Sequence, residues 1–166
     1  MNRSIRVLLV DDFSPFRDFL RTELEQMPDF EIVGEASDGI EAVQKIRKLK
    51  PDLILLDVGL PNLNGIEVAQ EVPNISAHSI ILFVSQARDS EIIEYAFLYG
   101  ASGYVVKSDA AEDLVPAMES VCRGAQYISS SAVREILDDH GCSEESPALN
   151  RISVGIARRL AEVAGE

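Results

Sequence analysis

The chain has 166 residues, 46% of them apolar and 26% charged, enough to bury the core of one domain and unlike a disordered or fibrous composition. Its 28 acidic side chains against 15 basic ones give a formal net charge of −13, so the surface repels phosphate backbones and anionic lipid, and no direct nucleic-acid or membrane contact is expected. Two cysteines without a C-x-x-C pair, Cys122 and Cys142, and a first apolar run too short for a signal or a span predict a cytoplasmic chain.

Taken in chain order, the apolar run Ile5–Val10 predicts a strand, and Phe16, Phe19, Leu20 and Leu24 at helical spacing predict a helix after it, with Ser14 as N-cap and Pro15 as its first residue. A second strand at Glu31–Glu35 precedes a helix carrying Val43, Ile46 and Leu49, which Asp38 and Glu41 would open as a capping box. Leu53–Leu56 and Ile80–Val84 are the third and fourth strands. Ile66, Ala69 and Val72 mark the helix after the third; Ile92, Ala96 and Tyr99, closed by Gly100, mark the helix after the fourth. The fifth strand, Gly103–Val106, leads to Leu114, Ala117, Met118 and Val121 behind the box-like pair Asp109 and Glu112. Pro116 interrupts this pattern and predicts a kink or a late helix start.

Beyond Gly124 the pattern changes. Tyr127–Ser131 reads as a short strand-like turn, Ala132–Leu137 as a helix and Gly141–Asn150 as a polar linker, after which Ile152, Ile156, Leu160 and Val163 form one apolar stripe. The expected organisation is a main domain over 1–124, an extension over 125–140, a linker over 141–150 and an amphipathic helix over 151–166. Covering that stripe would take the domain's own surface, a partner helix or a second copy of the chain.

Five short, largely apolar strands alternating with helices predict an α/β fold, a doubly wound parallel sheet of flavodoxin-like order 2-1-3-4-5, with a C-terminal helical extension. In such a sheet, residues just beyond the carboxyl ends of the strands converge near the switch point. Here those residues are Asp11 and Asp12, Asp57, Ser85 and Lys107. Clustered carboxylates need a cation, and hard oxygen ligands with room for water suit Mg²⁺. A phosphoryl group on one carboxylate would find Mg²⁺, an ammonium and a hydroxyl for its oxygens. Capping and simple ion pairing explain each residue singly, but not their joint placement at four strand ends.

The segments Val7-Leu8-Leu9-Val10-Asp11-Asp12, Leu55-Leu56-Asp57-Val58-Gly59-Leu60-Pro61 with Gly65, Ser85-x-Ala87, and Gly103-Tyr104-Val105-Val106-Lys107 together resemble a bacterial response-regulator receiver domain over about Ile5 to Gly124. The resemblance implies that Asp57 is the phosphoacceptor, that Asp11, Asp12, Asp57 and the Gly59 carbonyl hold Mg²⁺, and that Lys107 binds the phosphoryl group. Ser85 would be the switch hydroxyl and Tyr104 the aromatic that follows it. It further implies a phosphorelay signalling role, a sensor histidine kinase or phosphotransfer protein as donor, and an unknown downstream protein as target. Gln86 is bulkier than the family's usual residue, and Ser108 stands where many members have proline. The Gly124–Ile128 stretch is similar to receivers that precede a LuxR-type helix-turn-helix. The 16 residues after the linker are too few for three packed helices, so a receiver without that output is expected.

Two other readings compete. A haloacid-dehalogenase-like phosphatase uses the same residue types, but its first strand should end in D-x-D, and here Phe13 and Ser14 stand two residues after Asp11 and Asp12. A phosphorylation-independent interaction module would keep the fold without needing all five pocket residues. Asp138-Asp139-His140-Gly141-Cys142 reads as a solvated loop rather than a metal site, and His78 as an exposed loop residue without a catalytic partner.

Overall fold

Strand and helix alternate throughout residues 3–140, the part of the chain that the computed structural model describes. The elements are β1 (Ile5–Val10), α1 (Ser14–Glu25), β2 (Phe30–Ala36), α2 (Gly39–Leu49), β3 (Leu53–Leu56), α3 (Gly65–Ile75), β4 (Ile80–Ser85), α4 (Ser90–Leu98), β5 (Gly103–Val106), α5 (Ala110–Cys122), β6 (Tyr127–Ile128) and α6 (Ser130–His140). The sheet order is β2-β1-β3-β4-β5-β6. The chain divides into two packing units, one up to Ile81 and one from Leu82.

In the first unit, β1 lies parallel between β2 and β3. Side chains alternate between the faces of a strand, yet Val7 to Val10 and Leu53 to Leu56 are all buried, so both faces are covered and each strand reads as an unbroken apolar run. The covering stripes are Leu20 and Leu24 of α1, Ala42 and Ile46 of α2, and Val68, Ala69 and Val72 of α3. Between Val7 and Leu8 the register with β2 shifts by one residue, which sets Ala36 opposite Val10.

Helix starts follow local donors and acceptors. Asp38 accepts the Glu41 N–H as expected, whereas the full reciprocal capping box belongs to Asn64 and Glu67, a pair the sequence pattern did not bring forward. Ser14 is not the cap of α1. The N-cap position falls on Phe13, whose side chain has no acceptor to offer, and the Phe13 N–H itself donates to the Asp11 carboxylate at 2.8 Å.

In the second unit, β5 pairs in parallel with β4 on one side and β6 on the other. The expected sheet of five strands therefore becomes six. Tyr127 and Ile128, too few to stand out from a turn in sequence, pair with Gly103 and Tyr104. Pro116 does not delay α5, which begins at Ala110 and runs through it; burial of Ala110, Leu114, Ala117, Met118 and Val121 outweighs the one missing donor. Asp109 takes the N-cap position of α5 as expected but makes no capping bond, because its carboxylate accepts from Ser131 instead. Gly100, at φ +100°, follows the last turn of α4 and takes the left-handed conformation expected there.

The extension beyond Gly124 supplies β6 and α6. The linker 141–150, Cys142 and the amphipathic helix 151–166 lie outside the described residues. Among the described residues, no helix is long and apolar enough to cross a membrane.

Candidate functional site

β1 and β3 end side by side, with Val10 opposite Leu56, and the next residue on each strand is an aspartate. The Asp57 N–H continues the ladder by donating to the Val10 carbonyl at 3.0 Å, and the Asp11 N–H donates to Ala36 at 3.1 Å. Carboxylate oxygens of Asp11, Asp12 and Asp57 then lie within 4.8 Å of one another. Asp11 and Asp57 are buried, at 1% and 6% exposure, while Asp12 is open to water.

The bonds that aim these carboxylates are local. Asp11 Oδ1 accepts the Phe13 N–H, and Asp57 Oδ1 accepts the Gly59 N–H at 3.3 Å. Three like charges this close repel in a partly buried setting unless a cation joins them. Each carboxylate offers further lone pairs, and the donor set is all oxygen with one open side. That is the chemistry of a hard divalent ion that keeps several waters, so the residues fit Mg²⁺. No other group of three ligand-type side chains gathers in this way among the described residues.

Two residues with no expected role complete the support. Arg17 donates to the Asp11 carbonyl at 2.6 Å and to Glu35 at 3.2 Å, tying the site backbone to α1 and β2. Gly65 opens α3 directly against the Asp57 peptide: a Cβ built on it would lie 2.1 Å from the Asp57 carbonyl oxygen. Its N–H donates to the Val58 carbonyl at 2.8 Å, which also accepts from Leu60. Gly65 stood in the quoted motif, but only the packing shows why a side chain is excluded.

In the second unit, Ser85 is the last residue of β4 rather than the first beyond it, and lies opposite Val106 of β5. Lys107, next in the chain, begins the short 3-10 turn Lys107–Asp109 and is half-buried. The Lys107–Ser108 peptide is trans. Ser85 is buried, and its Oγ accepts the Ala87 N–H at 3.2 Å. Tyr104, fully buried and stacked on Phe83, donates its hydroxyl to the Ala87 carbonyl at 2.5 Å. The backbone of one residue, Ala87, thus engages both proposed switch residues, Ser85 through its N–H and Tyr104 through its C=O. Gln86 is exposed.

His78 is exposed, as expected, with Nε2 3.2 Å from the Lys50 carbonyl. Of the tract beginning at Asp138, Asp139 accepts a hydrogen bond from Ser90, and Gly141 and Cys142 fall outside the described residues.

Comparison with known proteins agrees with this geometry. A family model described as the response regulator receiver domain matches residues 7–119. The transcriptional regulatory protein DegU of Brevibacillus brevis is 29% identical over 136 residues, covering 82% of this chain and 58% of DegU. The nitrate/nitrite response regulator NarL of Escherichia coli K12 is 33% identical over 125 residues, covering 75% of this chain and 58% of NarL. The chain therefore spans less than two thirds of these relatives. Among solved structures, a LuxR-family two-component response regulator from Aurantimonas sp. SI85-9A1 aligns with a TM-score of 0.76 at 35% identity, covering 82% of this chain and 97% of the other. The response regulator domain of Thermotoga maritima CheB aligns with a TM-score of 0.65 at 35% identity, covering 74% and 96%.

Proposed function

Because the chain belongs to the response regulator receiver family of two-component signalling, we propose that Asp57 is its phosphoacceptor and that the phosphorylated chain changes which proteins it binds. The observation that carries this reading is the gathering of Asp11, Asp12 and Asp57 within 4.8 Å, with two of them buried.

An Asp57 carboxylate oxygen attacks the phosphorus of the donor, a P–O bond forms, and the bond from phosphorus to the donor's leaving nitrogen or oxygen breaks. Asp11, Asp12, Asp57 and the Gly59 carbonyl hold Mg²⁺, which when bound offsets the negative charge of the carboxylates and the incoming phosphoryl oxygens. The Lys107 ammonium and the Ser85 hydroxyl bind those oxygens, and Tyr104 follows Ser85 through the Ala87 turn. In a receiver the protein is the acceptor and signalling is the outcome, so turnover is confined to self-phosphorylation from small donors and to self-dephosphorylation.

The donor in the cell is a sensor histidine kinase or a phosphotransfer protein, and the site of action is the cytoplasm. The receiver is assigned to 1–124, with 125–140 an extension whose β6 continues the β5 edge. DegU is named a transcriptional regulatory protein. For this chain, a net charge of −13 favours a protein target, a second copy included, over direct nucleic-acid contact. Incubation with acetyl phosphate and Mg²⁺, followed by intact mass, is expected to add one phosphoryl group to the chain and none to Asp57→Asn. Undiminished uptake by that variant would overturn the assignment.

A further inference from the structure

α6 holds together the two segments that carry the proposed phosphoryl-binding groups. Its first turn is fastened to the segment after β5: the Ser131 N–H and hydroxyl donate to the two Asp109 carboxylate oxygens at 3.0 and 2.7 Å, two residues beyond Lys107. Just before the helix, the buried Ser129 hydroxyl accepts the Val106 N–H at 3.0 Å. Its second half reaches the segment after β4: Glu135 pairs with Arg88 at 3.3 Å, and Asp139 accepts from the buried Ser90 hydroxyl at 2.5 Å. Between these ends Ala132, Val133 and Ile136 are wholly buried.

The two halves differ in what secures them. The first rests on buried apolar side chains and a carboxylate that takes two donors. The second adds to the buried Ile136 an exposed ion pair, which contributes little by itself, and a hydrogen bond, and the partners in both lie within three residues of Ala87. Ala87 is the residue whose backbone N–H and C=O engage Ser85 and Tyr104. A Ser85 hydroxyl that turns to donate to a phosphoryl oxygen moves its oxygen off the Ala87 N–H, which frees the turn carrying Arg88 and Ser90 to shift.

We propose that α6 is a clasp across these two segments, and that phosphorylation releases its second half, Glu135 to Asp139, while the first half stays docked. The inference rests on Asp57 being the phosphoacceptor. Ser131, Glu135 and Asp139 are then positioning residues, and α6 is the route by which the chain beyond His140 senses the site. Coupling is reciprocal: whatever holds α6 down also opposes the Ser85 movement.

Hydrogen exchange by mass spectrometry on the full chain, with and without acetyl phosphate and Mg²⁺ and with intact mass recorded in parallel, tests this. In the phosphorylated chain, amides 135–139 are expected to exchange about fivefold faster or more, the lower range of coupling between sites, with 131–134 unchanged. In Glu135→Gln/Asp139→Asn the same amides should exchange fast before any donor is added and change no further after it, while phosphoryl uptake persists. Added mass with unchanged or slower exchange at 135–139 would overturn the clasp alone. Absence of added mass would overturn the reading of Asp57 and the clasp with it.

Discussion

Each carboxylate of the acidic cluster stands in a different environment, and that difference decides what its removal does. Asp11 is buried and occupied by the Phe13 N–H, Asp57 is buried beside the Gly59 N–H, and Asp12 is exposed. Asp12→Ala removes one proposed ligand and one of three mutually repelling charges without opening a cavity. Mg²⁺ affinity is expected to fall about tenfold or more, since even losing a group that merely supports a ligand costs about 10–100-fold. Stability without metal should rise slightly as repulsion is relieved. A metal titration with unchanged affinity would remove Asp12 from the ligand set. Gly65→Ala tests the backbone beneath the site. A methyl group 2.1 Å from the Asp57 carbonyl oxygen cannot be accommodated without moving α3 or the Asp57 peptide. Overpacking of this kind costs about 1–3 kcal/mol, so urea denaturation should show that loss and phosphoryl uptake should slow. Unchanged stability would mean that α3 gives way freely.

At the scale of elements, Asp52 ties the start of β3 to the start of β1. Its carboxylate accepts the Arg6 N–H at 2.9 Å and the Arg3 guanidinium at 2.6 Å, while its own N–H donates to the Arg6 carbonyl at 2.8 Å. Burial alone would raise the Asp52 carboxyl; the Arg6 N–H, the Arg3 guanidinium and nearby His78 outweigh it and hold it below its ordinary value. A carboxyl depressed in the folded state stabilises above its unfolded value, about 4, and loses that contribution as pH falls through that value toward the folded one. Asp52→Asn should therefore be less stable than the parent at neutral pH, with the difference shrinking below about pH 4. Denaturation midpoints that differ equally at pH 7 and pH 3 would contradict this.

The same scale shows which features the sequence carries and which it hides. β1, β3 and β5 were readable to their ends because strands buried on both faces are unbroken apolar runs, and the convergence of Asp11, Asp12 and Asp57 followed from strand ends plus strand order. β6 was read only as a strand-like turn, because two residues carry no period. Ser14 and Asp109 were read as caps from residue type, but a cap forms only where the backbone aims the right N–H, and here Asp11 and Ser131 intervene. The parts played by Arg17, Gly65 and Ala87 depend on neighbours brought from elsewhere in the chain, so no local pattern reveals them.

For the molecule as a whole, the stripe of Ile152, Ile156, Leu160 and Val163 belongs to residues outside those the structure describes, and the helix expected there from the sequence would be short enough to be marginal in water without a contact. A chain ending at Asn150 is expected to differ from the full chain in light-scattering mass or in the change of that mass on phosphorylation. Identical behaviour would take the tail out of the mechanism. The central claim is that phosphoryl transfer occurs on Asp57. Borohydride reduction of an acyl phosphate leaves an alcohol, so the full chain treated with acetyl phosphate and Mg²⁺, reduced and digested should yield a peptide with homoserine at position 57 only. Homoserine at another position, or none from a chain whose mass shows the added phosphoryl group, would contradict the account.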